Sequence, residues 1–170
     1  LIFDVTERSI KFMQEQVEAG KPFYLQISHY AVHLSVYYRE QTLKQVEQWK
    51  AGRKHTAPGF AAMTSDFDTG VGLLLEAAEE LGIMDNTYII FTADNGAEKY
   101  LYERDEKFDH WSSGPLRGGK RDIFEGGHHV PFIIKWPGLI KPGSVSSALI
   151  SQTDIMATLA AEMNYELPRN

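Results

Sequence analysis

Phe60, Met63, Phe67, Val71, Leu74, Ala78 and Leu81 follow one another at steps of three or four residues. Only an α-helix brings such positions onto one face, so they form a continuous apolar stripe that a sheet or another helix must cover. Gly82 stands where a helix C-terminal cap belongs. Within a few residues the pattern changes. Thr87-Tyr88-Ile89-Ile90-Phe91-Thr92 is a short apolar run rich in β-branched and aromatic residues, the pattern of a buried strand. A long one-faced helix leading directly into a buried strand restricts the chain to helices layered on a sheet, the α/β class.

The remaining elements fit that scheme. A helix is expected from about Thr6 to Ala19, with Ile10, Met13 and Val17 on one face and Gly20 as its stop. Phe23–Ser28 is a strand candidate ending at His29-Tyr30-Ala31-Val32-His33. Residues 34–58 are mixed and polar, with a short helix around Glu40–Lys50 closed by Gly52 and Pro58. A long irregular, highly charged segment runs from Gly96 to about Gly127, and a loop of that length in a compact domain is usually functional or disordered. It ends at a strand, Val130–Trp136, with Pro131 near its start. A last strand near Ala148–Ile150 leads to a helix from about Asp154 to Met163, with Asp154 as N-cap. The fold class expected is therefore α/β, a partial doubly wound mixed or parallel sheet flanked by helices. The chain opens on a helix and offers only about four strands, fewer than such a sheet usually has. This predicts an internal piece, residues 1–170, of a single larger domain, incomplete at its N-terminal side.

Composition removes several functions. A net charge of −6 and the lack of any run of basic residues argue against a nucleic-acid surface. No apolar run is long enough to span a bilayer, and no signal peptide is visible. Cysteine is absent, so these residues hold no disulfide, no Cys-ligated zinc and no thiol nucleophile.

The buried strand stops at Asp94-Asn95-Gly96. In open α/β sheets, ligands bind beyond the carboxyl ends of the strands. A carboxylate beside a side-chain carbonyl supplies two hard oxygen donors suited to Ca²⁺ or Mg²⁺. The competing reading is a plain turn, since Asn-Gly is a strong hairpin signal. Two further groups fall near predicted strand ends: His33, and the basic glycine-rich segment Leu116-Arg117-Gly118-Gly119-Lys120-Arg121. If the loops converge, a cation with Lys120 as a point charge and His33 as a proton donor suits a tetrahedral oxyanion.

Two alternatives fail on spacing. Gly114-Pro115-Leu116-Arg117-Gly118-Gly119-Lys120 matches a Walker A loop up to its lysine, but Arg121 stands where the Mg²⁺-binding Ser or Thr belongs. His29 and His33 are four apart without the glutamate of H-E-x-x-H, and the adjacent His128 and His129 point opposite ways on a strand. Zinc catalysis is thus a weak competitor.

Taken in order, the segments resemble the sulfatase family of the alkaline-phosphatase-like superfamily over nearly the whole chain. Pro22-Phe23-Tyr24-Leu25 through Tyr30-Ala31-Val32-His33 is similar to the family's strand ending in an active-site histidine. Asp68 through Gly72 and Leu81-Gly82-Ile83-Met84-Asp85-Asn86-Thr87 resemble the helix and connector before its metal-binding strand, and Phe91-Thr92-Ala93-Asp94-Asn95-Gly96 resembles that strand's end. Leu116-Arg117-Gly118-Gly119-Lys120, Glu125-Gly126-Gly127, Val130-Pro131 and Trp136-Pro137-Gly138 resemble the segment carrying the sulfate-contacting lysine. Gln152-Thr153-Asp154-Ile155 with Thr158-Leu159 is similar to the helix that follows.

The resemblance implies a sulfuric ester hydrolase acting on a sulfate ester, with Asp94 and Asn95 as ligands of a divalent cation, commonly Ca²⁺, and Lys120 and His33 as sulfate-contacting groups. A periplasmic, secreted or lysosomal location would fit the family; the oligomeric state is unreadable. Two departures stand out. His129 occupies a position where the family usually has arginine. The family's nucleophile is a formylglycine made from Cys or Ser in a C-x-P-S-R or S-x-P-x-R motif, whereas Ser113-Gly114-Pro115, followed by Leu116-Arg117, lies in the wrong part of the family order. The paired N-terminal aspartates of the metal site are missing as well. The chain alone is therefore expected to hold half a metal site and to be inactive, with the formylglycine in the parent protein. A phosphoesterase or phosphonate hydrolase of the same superfamily, or a non-catalytic binder of sulfated ligands, is the alternative.

Overall fold

The computed structural model describes residues 1–33, 35–50, 56–103, 106–109 and 112–168. The chain divides into two units, Leu1–Pro137 and Gly138–Asn170.

In the first unit, α3 (Pro58–Glu80) carries the apolar stripe, and α1 (Ile2–Glu18) and α2 (Glu40–Val46) both pack on it. Pro58 lies in the first turn of α3, where its missing N–H leaves no bond unmade. Gly82 follows the helix with φ +69°, which only glycine adopts without strain. Met63 and Ala78 of the stripe are buried, as are Ala62 and Ala77 beside them. Leu43 and Val46 of α2 join Ala62 in a core cluster flanked by Tyr38 and Ala61. Helix α1 approaches α3 closely at Gly70, where an added Cβ would stand 2.9 Å from Thr6 Oγ1. Thr6 and Ser9 reach that buried seam because their hydroxyls donate to carbonyls of their own helix, Ile2 O at 3.1 Å and Val5 O at 2.8 Å.

One carboxylate ties α2 to α3. Asp66 is buried and accepts three bonds, from Arg39 N at 2.8 Å, Arg39 Nε at 2.9 Å and Thr42 Oγ1 at 2.7 Å. Arg39 is the N-cap residue of α2 and supplies no side-chain cap, so Asp66 satisfies that helix start from a neighbouring helix. The Arg39 guanidinium also lies 4.0 Å over the Phe3 ring of α1.

Strand β1 (Ile89–Thr92) pairs antiparallel with β4 (Phe132–Lys135), Ile89 opposite Lys135 and Thr92 opposite Phe132. Tyr88 and Trp136 stack at 4.2 Å where this ribbon begins and ends. Phe67 of α3 lies 6.1 Å from Phe91, which seats the ribbon on the helix. Between them, β2 (Tyr100–Glu103) and β3 (Glu106–Asp109) form a separate antiparallel hairpin, and α4 (Glu125–His128) is a single turn. The segment after Gly96, expected to be irregular throughout, thus contains three short elements.

The α/β class stands, but the doubly wound mixed or parallel sheet is not found among the described residues, which form two two-stranded antiparallel sheets. Phe23–Ser28 is extended, and its side chains alternate between half-buried and exposed as a strand's do, yet it joins no ladder among the described residues. Its inward side is held by packing instead, Phe23 lying edge-on to Phe12 at 5.8 Å. An apolar alternation fixes which face turns inward; ladder hydrogen bonds need a second strand alongside. Helix α1 begins four residues earlier than expected, and Gly52, the expected stop of α2, lies outside the described residues.

The second unit contains turns at Gly138 and Gly143, both with positive φ, and helix α5 (Thr153–Glu162). The strand expected at Ala148–Ile150 is absent: Leu149 is fully exposed, and three apolar residues without a partner strand gain nothing by pairing. Asp154 is not the N-cap. It sits in the first turn of α5, one residue beyond the start, and accepts the Ser151 N–H at 2.7 Å from there.

Candidate active site

The strand β1 ends at Thr92, and Asp94 follows exposed, Asn95 half-buried and Gly96 buried. Asn95-Gly96 is not a hairpin turn: β1 pairs with the distant β4, and Gly96 does not take a positive φ. Glycine is required there for a different reason. A Cβ on Gly96 would lie 1.9 Å from Gly126 O, so the residue is a point of backbone-to-backbone contact between two loops. The Asn95 side-chain amide donates to Asp94 Oδ1 at 3.0 Å and lies 3.4 Å from Gly96 O. The Asn95 amide nitrogen is thus engaged within its own loop, and the pair carries a carboxylate and a side-chain carbonyl, oxygens of the kind a hard cation takes.

The second loop, residues 117–129, folds over the first. Gly96 N donates to Gly127 O at 2.8 Å, and Lys120 N donates to Ala97 O at 2.7 Å. Within the loop, Gly126 N reaches Arg117 O at 2.8 Å and Gly127 N reaches Phe124 O at 2.7 Å. The glycines that the sequence places here leave no room for a side chain: a Cβ on Gly126 would stand 2.1 Å from Gly118 O, and one on Gly127 2.1 Å from Asp122 O. Lys120 sits at the head of a tight turn in which Asp122 N donates to Gly119 O at 2.9 Å and Gly119 N donates to Asp122 Oδ2 at 3.0 Å. Arg121 takes φ +76° to complete it, an uncommon conformation for a residue with a side chain.

Charge pairs cross the same seam in register. Glu98 meets Arg121 at 2.7 Å and Lys99 meets Asp122 at 2.7 Å. The Lys99 ammonium, then the Gly119 amide, hold the Asp122 carboxyl below its ordinary range. For Glu98, partial burial pushes the carboxyl up, but the Lys99 amide, Arg121 and the charge of Lys120 outweigh it and bring it below its ordinary range. Both carboxylates are thus firmly ionised at neutral pH. Half-buried Lys120 immediately precedes Arg121 and Asp122, and among the described residues its ammonium has no hydrogen bond or ion pair.

The structure therefore brings the loop that carries Asp94 and Asn95 against the loop that carries Lys120, through backbone bonds at Gly96 and Ala97. His33 stands on a separate loop, exposed, with its N–H donating to Tyr30 O at 2.9 Å and its ring 5.6 Å from that of Tyr30. Its neighbour in sequence, His29, is packed edge-on against Phe67 at 5.0 Å. Both His29 ring nitrogens are buried without a hydrogen-bond partner among the described residues, and burial lowers its pKa. His129, at the position expected to carry arginine, is exposed and bonds Glu125 Oε2 through Nδ1 at 3.0 Å, one turn away on α4. Sequence reasoning missed Glu98, Lys99 and Asp122. The available signal was the pair Glu98-Lys99 set against Arg121-Asp122, acid to base and base to acid, on either side of the glycines.

Among the described residues no group of three or more His, Asp or Glu side chains stands ready for a metal ion. Asp94 and Asn95 fit a hard cation as part of its shell, whose six to eight oxygens would need further donors. No helix of the described residues is long and apolar enough to cross a membrane.

Comparison with known proteins places these features in context. A family model described as Sulfatase matches residues 3–165. Arylsulfatase A of Bos taurus is 37% identical over 157 residues, 92% of this chain and 28% of that protein. N-acetylgalactosamine-6-O-sulfatase of Bacteroides thetaiotaomicron is 38% identical over 107 residues, 61% of this chain and 21% of that protein. The crystal structure of the PsFucS1 sulfatase from Pseudoalteromonas sp. superposes with a TM-score of 0.76 at 33% identity, covering 96% of this chain and 30% of that one. The chain thus spans between about a fifth and a third of the length of these relatives.

Proposed function

The chain belongs to the sulfatase family, and from that premise we propose that the protein is a sulfuric ester hydrolase to which this segment contributes part of a divalent-cation site and two sulfate-contacting side chains. Asp94 and Asn95 would hold the cation, Ca²⁺ being the fitting choice for two hard oxygen donors. When bound, the cation supplies Lewis-acid stabilisation of charge on the sulfuryl oxygens. Lys120 would add a second positive charge to those oxygens in the transition state, where a preorganised charge is worth most. His33 would hold or protonate the oxygen on the leaving-group side. The formylglycine nucleophile of the family belongs to the parent protein in this reading, and the 170-residue chain by itself does not turn over.

The observation that carries the reading is the backbone lock. Gly96 N to Gly127 O at 2.8 Å and Lys120 N to Ala97 O at 2.7 Å hold the backbone of the loop that carries Lys120 against the loop that carries Asp94 and Asn95, which supports a shared site. Gly96, Gly118, Gly119, Gly126 and Gly127 leave no room for a Cβ, so the two loops are built for close packing on one another, which again supports a shared site. The phosphoester alternative shares the metal pair, so the test uses both chemistries: the full-length protein assayed against a panel of sulfate and phosphate esters, with Asp94→Ala as control. Preferential hydrolysis of sulfate esters, lost in Asp94→Ala, is expected. Preference for phosphate esters would overturn the sulfatase assignment, and an unchanged rate in Asp94→Ala would remove Asp94 from the metal site.

A further inference from the structure

Asp122 is the carboxylate that both joins the two loops and closes a turn within one of them. Its Oδ1 and Oδ2 both take the Lys99 ammonium, at 2.9 Å and 2.7 Å, and Oδ2 also takes the Gly119 N–H at 3.0 Å. The first contact joins the second loop to the loop that carries Asp94. The other closes the turn Gly119–Asp122, on which Lys120 is the next residue after Gly119. The carboxylate is tucked under that turn: a Cβ on Gly118 would lie 2.6 Å from Asp122 Oδ2. Lys120 N is held from the other side by Ala97 O at 2.7 Å. The backbone from which Lys120 projects is therefore held on both sides, by a carbonyl of the first loop and by the Gly119–Asp122 turn, which the Asp122 carboxylate closes.

The same arrangement sorts the three cations of the seam. Lys99 and Arg121 are each spent on a carboxylate, Asp122 and Glu98, so neither competes for an anion. We propose that Asp122 is a positioning residue for Lys120: without touching substrate, it aims the Lys120 ammonium and withdraws Lys99 from the anion site. This rests on Lys120 contacting the sulfate ester, as argued above. The ionised state of Asp122 at neutral pH agrees with it, since a protonated carboxyl would neither hold Lys99 nor accept the Gly119 amide as strongly.

A double-mutant cycle in the full-length protein decides the matter, with 4-nitrophenyl sulfate as substrate and kcat/KM as the readout. The variants are Lys120→Ala, Asp122→Asn and the two together. A misplacement of about 1 Å in a catalytic charge can cost roughly 10²-fold in rate, so Asp122→Asn is expected to lower kcat/KM by about ten- to a hundredfold. In the Lys120→Ala background, Asp122→Asn should change it by less than about twofold, because its effect travels through the lysine. An undiminished drop in that background would make Asp122 merely structural and overturn the proposal, as would a harmless Asp122→Asn beside a damaging Lys120→Ala. A harmless Lys120→Ala would instead bring down the sulfate-contact reading itself, a distinct result. If Asp122→Asn fails to fold, Lys99→Met takes its place in the cycle, since it removes the contact between loops and leaves the Gly119–Asp122 turn intact.

Discussion

Gly96 and Gly126 touch so closely that a Cβ on the first would stand 1.9 Å from the carbonyl oxygen of the second. The partner atom is backbone, not the end of a flexible side chain, so it cannot step aside without moving the whole second loop. Gly96→Ala is therefore expected to part the loops and break Gly96 N to Gly127 O. Overpacking of this kind costs about 1–3 kcal/mol, and chemical denaturation should show a loss in that range. Sulfate-ester turnover in the full-length protein should fall further than stability does, because the parted loops separate Lys120 from Asp94. Wild-type stability in Gly96→Ala would mean the loops are not in contact.

A second prediction concerns the clasp between helices. Asp66→Ala would leave the Arg39 N–H, the Arg39 Nε and the Thr42 hydroxyl without their acceptor. Arg39 is 41% exposed and can turn to water, whereas Asp66 is 2% exposed. The loss should therefore be smaller than for a fully buried pair and on the order of 2–3 kcal/mol. Asp66→Asn keeps an acceptor oxygen and should lose less than the alanine variant. Equal losses in the two variants, measured by urea unfolding, would show that charge and not hydrogen-bond acceptance matters at this site.

The helix stripe, the strand that ends in Asp94 and the glycine loop were legible in the sequence because each is a local pattern. Period and punctuation are set by neighbouring residues, and α3 and β1 fall where Phe60–Leu81 and Thr87–Thr92 place them. What could not be read was partnership. Phe23–Ser28 has the alternation of a strand but no ladder among the described residues, and Ala148–Ile150 has the composition of one but lies exposed. Asn95-Gly96 shows the same limit from the other side. The dipeptide suggested a turn, but its glycine answers to Gly126, thirty residues away. The pairs Glu98–Arg121 and Lys99–Asp122 show the same limit, since their opposite charge orders stand in the sequence but their meaning depends on which loop lies on which.

Stability should respond to pH through His29. Burial against Phe67 lowers its pKa in the folded chain, whereas the unfolded chain titrates near the usual value of about 6.5. Between those two values the unfolded state binds more protons, so stability rises with pH across that window and falls as pH drops below about 6.5. His29→Phe removes the titration and the two buried nitrogens without partners. The variant should therefore lose less of its thermal stability than the parent between pH 7 and pH 5. Parallel curves for the two proteins would show that His29 is not the group responsible.

The cation site offers a test on the chain itself. Asp94 and Asn95 provide two oxygen donors, and among the described residues no third acidic or histidine side chain joins them in a cluster. Ca²⁺ prefers six to eight oxygens, so most of its shell would be water and the affinity should be no better than about 10⁻⁴–10⁻³ M. With a Kd of about 1 mM, 10 mM Ca²⁺ would stabilise the folded chain by about 1.4 kcal/mol, a rise in Tm of roughly 3–6 °C for a chain of this size. Asp94→Ala should abolish that rise, while Asp85→Ala, on the connector before β1, should not. Sub-micromolar binding by calorimetry would contradict the two-donor site, and an undiminished Tm shift in Asp94→Ala would place the cation elsewhere on the chain.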